Sequence, residues 1–292
     1  MVDPGLILID VLNGLSKGFF YFLIVSGLTL TLGIMGIINF AHGAFYMVGG
    51  YTAYTLARVL AGTGCEFWLA AVISAVIVSG AGFLVERFLL RRIYAAEHLY
   101  QLLLTFGLVF LLEGLVLQIW GGTPRSIFQP EFLMGSLIVA GRSWPKYSLF
   151  LLLFSAALAA GLWYLLYRTR LGRSTRASAM DKEMTRALGI NVPQVFTIMF
   201  VIGTFLAALA GGTGTALRSL TLGMGAEIII LCFAIVVIGG MGSLVGALIG
   251  SLILGMFESF GWHYFPDLAM MLPYLLMTVV LIIRPRGLLG KE

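Results

Sequence analysis

Asn39 and His42 stand three residues apart, and Tyr46 and Gly50 continue the same helical face, inside an apolar run that a bilayer would surround. Glu113 lies in the outer half of another such run, close to Gln118, and Glu227 and Glu258 flank a third. An amide, an imidazole, a phenol and a carboxylate at that depth can bind a polar solute in passage or hydrogen-bond neighbouring helices. The residue types alone leave both readings open. A charge at the bilayer centre costs about 3 kcal/mol on insertion scales, so Glu113 is expected to face protein or water, paired or protonated. Asn39, His42, Tyr46 and Glu113 are therefore the candidates for a solute path. They do not form a catalytic set. His42, His98 and His263 fall in separate segments, and Cys65 and Cys232 match no metal-ligand or disulfide spacing. No G-x-x-x-x-G-K-[ST] phosphate loop occurs, so the chain cannot itself hydrolyse ATP, and neither cofactor nor metal is expected.

A different chemistry is offered by residues 168–193, RTRLGRSTRASAMDKEMTRALGINVP, a basic polar stretch between two long apolar runs. Ala177, Met180, Met184, Ala187 and Leu188 share one helical stripe, while Asp181, Lys182, Glu183 and Arg186 lie off it. Ser178 followed by Asp181 reads as a start signal, and Gly189 followed by Pro193 as a stop. The spacing predicts one short amphipathic helix of about three turns outside the bilayer, tethered at both ends. Two spans could be joined with fewer residues. Met180, Asp181, Glu183, Met184, Ala187, Leu188 and Gly189 thus read as a surface for a soluble partner to grip. Arg168, Arg170, Arg173 and Arg176 would suit anionic lipid head groups equally well, so membrane lipid is the alternative contact.

The elements that must position these residues follow from composition. The chain is 60% hydrophobic and 11% charged, with mean hydropathy +1.02, which places it among polytopic helical membrane proteins. The opening Met1-Val-Asp-Pro-Gly lacks the basic region of a secretory signal, so the first apolar run is expected to stay as a span. Apolar runs near 15–36, 40–60, 67–88, 99–120, 147–167, 194–217, 226–257 and 268–284 predict an all-α bundle of about eight hydrophobic segments, a single transmembrane domain over 1–292. Residues 6–14, with Asp10 and Asn13, read as an interfacial lead-in to the first span.

The run 226–257 is too long for one crossing and carries Gly239-Gly-Met-Gly-Ser243, so it reads as two pieces joined by a break. The first piece, 226–238, spans about 20 Å against a hydrocarbon core of about 30 Å. A broken helix survives only where protein or a water-filled cavity covers its loosened backbone, and transporters route substrates past such breaks. Gly239, Gly240, Gly242, Gly246 and Gly250 are candidates on that account. Gly242, Gly246 and Gly250 recur at four-residue spacing, as do Gly203, Ala207 and Gly211, which suits close packing, or a surface that lets helices slide or leaves room for a permeating solute.

Charge placement orients the chain. Of 18 Lys and Arg, three lie at Arg87, Arg91 and Arg92, six in the 168–193 loop, and three at Arg284, Arg286 and Lys291. With alternating spans these share one face, which the positive-inside rule makes cytoplasmic. Lys17, Arg58, Arg125, Arg142, Lys146 and Arg218 fall on or near the other. The N-terminus is then outside and the C-terminus inside. The excess positive charge reports topology, and nucleic acid is not an expected partner.

The run Gly33-Ile-Met-Gly-Ile-Ile-Asn-Phe-Ala-His-Gly-Ala-Phe-Tyr-Met-Val-Gly-Gly-Tyr51 resembles the N-terminal signature of the LivH-type permeases of bacterial branched-chain amino acid ABC transporters. RALGIN at 186–191 before a Pro, GGMGSLVGALIG at 239–250 and RPRGLLG at 284–290 resemble the same family in the same order, across essentially the whole chain. Many relatives carry an acidic residue where this chain has Ala44. With Glu113, that departure leaves the solute open, and permeases of this type also serve urea, amides and aromatic acids. ABC importer permeases share a cytoplasmic pattern, Glu-Ala-Ala followed three residues later by Gly, that enters a groove of the ATPase. Glu183 and Gly189 stand at that spacing, with Met184 and Thr185 in place of the alanines. The resemblance implies a second, LivM-like permease, two ATPase subunits and a periplasmic substrate-binding protein as partners, in the bacterial inner membrane.

The expectation is therefore a permease subunit of an ABC importer that passes a small polar solute, a branched-chain or other hydrophobic amino acid, with ATP hydrolysed on separate subunits. The outward loop 121–146 is too short to hold a ligand-binding domain. Its hairpin-like Leu137–Trp144 would help dock a separate binding protein. A self-powered channel or secondary transporter is the rival reading, and it would require a denser set of buried ionisable residues. A membrane-embedded enzyme lacks any convergent acid, base or metal set.

Overall fold

A computed structural model describes residues 3–94, 96–126, 129–269 and 271–290; Lys291, counted above among the C-terminal cations, lies outside the described residues. Local signals set the helix ends. Asp3 Oδ1 accepts the Gly5 N–H (2.9 Å) just ahead of Pro4, opening helix α1 at Pro4–Leu30. The helix widens into a π turn at Thr31–Met35 and stops at Gly36, whose φ of +73° an L side chain rarely adopts. Then come α2 (Ala41–Val59), α3 (Glu66–Phe88), α4 (His98–Trp120), a hairpin of β1 (Ser136–Val139) and β2 (Arg142–Pro145), and α5 (Lys146–Arg168). They are followed by α6 (Arg170–Met180), α7 (Lys182–Ala187), α8 (Val192–Gly214), α9 (Met224–Gly239), α10 (Leu244–Tyr264) and α11 (Leu272–Ile283).

Six of the described helices are long and apolar enough to cross a membrane, those of Pro4–Met35, Glu66–Ile93, His98–Trp120, Lys146–Arg168, Val192–Gly214 and Leu244–Tyr264. The helical membrane architecture is as expected, while six long apolar helices stand where about eight hydrophobic segments were read. Helices α9 and α11 are apolar but shorter, at 16 and 12 residues, and α2 is too rich in Gly, Tyr and Thr to qualify although it occupies 19. Nor do residues 6–14 form a separate lead-in, because α1 runs unbroken from Pro4. The hairpin itself is as read: Ser136 pairs with Pro145 and Val139 with Arg142, across Ala140 and Gly141 at φ +49° and +78°, the left-handed pair a type I′ turn needs.

The chain divides into two compact units. One gathers 1–25, 129–162 and 231–292. In it α1 crosses α10 at glycines: a Cβ at Gly18 would stand 2.8 Å from Leu252 Cα, and one at Gly255 would stand 2.7 Å from Gly18 Cα. Close approach brings polar groups into reach. Tyr21 Oη donates to Glu258 (2.7 Å), Lys17 Nζ lies 3.7 Å from the same carboxylate, and Ser259 Oγ donates to the Asp10 carbonyl (2.7 Å). Trp144 Nε1 donates to Asn13 Oδ1 (2.9 Å), and Arg142 pairs with Asp3 (2.6 Å), so the hairpin is fastened to the start of α1. That Arg142 hydrogen bond holds the Asp3 carboxyl below the usual carboxylate range.

The other unit gathers 26–128 and 163–230, with α2 at its centre packed against α3, α4 and α8. Helices α2 and α8 meet backbone to backbone. A Cβ at Gly49 would collide with Ala208, and one at Gly211 with the Tyr46 carbonyl. The Gly203, Ala207, Gly211 repeat thus serves close packing.

Candidate functional site

The π turn sets the geometry of the predicted solute-path residues. Residues 36–40 follow it without helix, and α2 begins only at Ala41. Asn39 is therefore corrected from a helix-face residue to the residue that starts α2: its Oδ1 accepts the Ala41 N–H (3.1 Å) and its carbonyl accepts the His42 N–H (3.3 Å). Asn39 is buried, and its Nδ2 has no hydrogen-bond partner among the described residues. His42 and Tyr46 are buried in the first turns of α2. A Cβ at Gly27 would fall 2.5 Å from the Gly203 carbonyl and 2.7 Å from His42 Cε1, so the imidazole fills the point where the last turns of α1, the first turn of α2 and the middle of α8 meet.

Glu113 stands apart on α4, half-buried, with Oε1 beside the Gly223 turn, while Gln118 and Glu227 are exposed. Glu258 lies in the other compact unit, already engaged by Tyr21 and Lys17.

The 168–193 segment is not one helix but two. Helix α6 opens at Thr169, whose Oγ1 accepts the Gly172 N–H (3.1 Å), and ends at Met180. Asp181 then takes an extended conformation (φ −150°, ψ 107°) and caps α7, its Oδ1 accepting the Glu183 and Met184 N–H groups (2.9 Å each). Ser178 is no start signal. It is buried in α6, donating to the Ser174 carbonyl (2.8 Å). The stop at Gly189 is as read: φ is +82°, and Ile190 N–H reaches Thr185 O while Gly189 N–H reaches Arg186 O, a Schellman closure.

Polarity and burial are inverted along this segment. Thr175, Ser178 and Thr185 face inward, whereas Met180, Met184 and Leu188 are 82%, 59% and 72% exposed. Asp181, Glu183, Ala187 and Gly189 are exposed as well. Sequence reasoning missed Lys182. Its Nζ donates to the Met35 carbonyl (3.2 Å) at the π turn and lies 5.3 Å from the Phe196 ring centroid. A cation is favoured there because the last carbonyls of a helix carry its negative pole. Phe196 in turn meets Tyr94 edge-on (5.5 Å between centroids), and Tyr94 Oη donates to Glu86, a fully buried acid. Burial, then that hydrogen bond, pushes the Tyr94 phenol up, so it stays protonated and keeps donating. Nothing in the spacing of these residues links Lys182 to position 35.

The glycine-rich break is the turn of a helical hairpin, and the turn with its flanking residues 231–264 belongs to one compact unit. Gly240 and Gly242, at φ +102° and +79°, form its turn, so Gly242 leaves the four-residue repeat. Gly246 packs on Gly239, and a Cβ at Gly250 would stand 2.8 Å from the Ile235 carbonyl. The loosened end of α9 is covered by protein: Leu288 N–H donates to Ile238 O (2.9 Å) and Leu289 N–H to Gly239 O (3.0 Å), with Gly290 against Gly240. The RPRGLLG ending is thus a cap on α9.

Long apolar helices and an exposed, capped segment between α5 and α8 are thus the main features of the described residues. Residues 11–281 match the family model of the branched-chain amino acid transport system permease component. The chain belongs to that family. The permease is 34% identical over 292 residues to the high-affinity branched-chain amino acid transport system permease protein BraD of Pseudomonas aeruginosa, covering 97% of this chain and 95% of that protein. It is 33% identical to LivH of Salmonella typhimurium, with the same coverage of each chain, and 28% identical to LivM of Escherichia coli over 92% of this chain and 67% of that one. No solved structure matches it.

Proposed function

We propose that the permease is one membrane subunit of an ATP-driven importer of branched-chain amino acids. In this reading it works in the bacterial inner membrane beside a LivM-like second permease, two ATPase subunits and a periplasmic binding protein. The observation that carries it is the trio Met180, Met184 and Leu188, exposed on a capped polar segment where lipid hydrocarbon is not the surrounding medium. An apolar patch so placed asks for a protein partner, and Glu183 with Gly189 gives it the spacing of the family's coupling element. The distribution of Lys and Arg supports a cytoplasmic 168–193 loop, an outer N-terminus and an inner C-terminus.

The coupling route runs through α7. Closure of the paired ATPases displaces α6 and α7, and Lys182 passes that displacement to the π turn at Thr31–Met35. A π turn is a common place for a helix to give. It lies one short loop ahead of Asn39, His42 and Tyr46, which with Glu113 form the proposed solute path.

The test is co-purification followed by uptake. The permease, expressed with its second permease, ATPases and binding protein, should retain the ATPases and take up leucine into proteoliposomes only with ATP inside the ATPase compartment. Leucine uptake by the permease without ATPases would make it a self-powered carrier. A complex that carries urea or an amide and ignores leucine would move the substrate class.

A further inference from the structure

Arginines are sparse on the outer side of a membrane protein, so two that converge there need a reason. Arg58, at the end of α2, and Arg125, after α4, each stand 5.8 Å from the centroid of the Tyr54 ring. Arg58 Nη1 donates to Tyr54 Oη (3.3 Å) and Arg125 Nη2 donates to the Trp120 carbonyl (3.3 Å). Arg125 is held by its backbone, which exchanges hydrogen bonds with Leu220 (3.0 and 2.6 Å). Neither guanidinium has a carboxylate: the ion pairs among the described residues are Lys17–Glu258 and Arg142–Asp3. Arg125 Nε is buried with no hydrogen-bond partner. Two like charges against one ring repel each other and leave a positive potential that an anion would relieve.

These side chains line a cavity of about 530 Å³, within the range of small-molecule sites. The rest of its lining is Thr55 together with the apolar side chains of Val59 and Ile119 and the indole of Trp120. Trp120 is fixed in place by donating Nε1 to Thr55 Oγ1 (2.7 Å). Behind it Tyr51, 5.5 Å away between ring centroids, is fully buried with its hydroxyl unpartnered among the described residues. The cavity, open to its surroundings, therefore sets two guanidiniums beside an apolar surface.

We propose that this cavity is an entry site for a free amino acid with an apolar side chain. The forks of Arg58 and Arg125 hold its carboxylate, and Val59, Ile119 and Trp120 receive its side chain. The inference rests on the transport reading above for its solute and for the side of the membrane on which the site lies.

The test is direct binding of labelled leucine, and of leucinol, which lacks the carboxylate, to the purified permease complex without binding protein. Wild type should hold leucine about tenfold or more tightly over leucinol. The double variant Arg58→Gln, Arg125→Gln should lose that preference. Arg58→Gln alone, at an exposed position whose side chain hydrogen-bonds the exposed edge of Tyr54, should lose part of it without disturbing the fold. A preference unchanged in the double variant overturns the proposal, as does wild type with no preference. A variant that keeps the preference but loses capture of loaded binding protein also overturns it, and makes the arginines a docking contact. Leucine uptake by the wild-type complex is measured in parallel. Its absence would sink the transport reading, whereas uptake with an unchanged preference in the variant sinks the entry site alone.

Discussion

Two apolar surfaces in the same compact unit are both exposed, yet they ask for different surroundings. Helix α4 presents Phe110, 70% exposed, near the middle of 23 residues in which Glu113 is the one charged side chain. The α6–α7 segment presents Met180, Met184 and Leu188 among Arg170, Arg173, Arg176, Asp181, Lys182, Glu183 and Arg186. The first surface is at ease in hydrocarbon. The second sits among charges that cannot enter hydrocarbon, so its methionines and leucine meet water until something covers them, at about 25 cal/mol for each Å². Exposure is the same in both, and the charge around it decides what it means.

The sharpest way to break this contrast is to put an identical charge on each surface. Phe110→Arg places a guanidinium at the midpoint of α4, where insertion costs about 3 kcal/mol. The amount of folded permease recovered from membranes should fall severely, while Met180→Arg should leave it unchanged. Recovery of Phe110→Arg at the wild-type level would show that this face of α4 meets protein or water. A smaller effect is expected from Met184→Asp combined with Leu188→Asp. Insertion and yield should match wild type, but retention of the ATPases on purification should drop about tenfold or more, the usual loss when apolar anchors of an interface are replaced. Undiminished retention would assign the trio to some other contact.

How much of this could be read beforehand depended on the range of the interactions involved. Period and composition located the long helices, the hairpin at 136–145 and the polar segment at 168–193, because each is set by residues within a few turns of one another. Gly189 was legible for the same reason, since a left-handed helix end is a local requirement. The break at Asp181 was not. A continuous stripe through Ala177, Met180, Met184 and Ala187 fits one helix as well as two, and only the extended backbone at Asp181 separates them. Asn39 was misplaced because the π turn and Gly36 delay α2 until Ala41. Pairs far apart in the chain, such as Lys182 with Met35 or Tyr21 with Glu258, leave no periodic trace at all. The candidate solute-path residues were therefore legible as residue types, and the placing of His42 where α1, α2 and α8 meet, with Glu113 apart on α4, was not.

The finest test of the contrast separates the cap of α7 from the surface that α7 displays. Asp181 contributes two hydrogen bonds to the first turn of a six-residue helix, and a helix that short has little else to hold it. Asp181→Ala should cost about 1 kcal/mol of local stability. The apolar trio would remain, but Met184 and Leu188 would be presented in the right geometry for less of the time. ATPase retention should weaken about fivefold, the equivalent of that energy, with insertion untouched. Asp181→Asn keeps an acceptor at the cap and removes the charge, so it should restore retention nearly to wild type. If Asn fails as badly as Ala, the carboxylate itself touches the partner, and the coupling surface includes a charge as well as the methionines and Leu188.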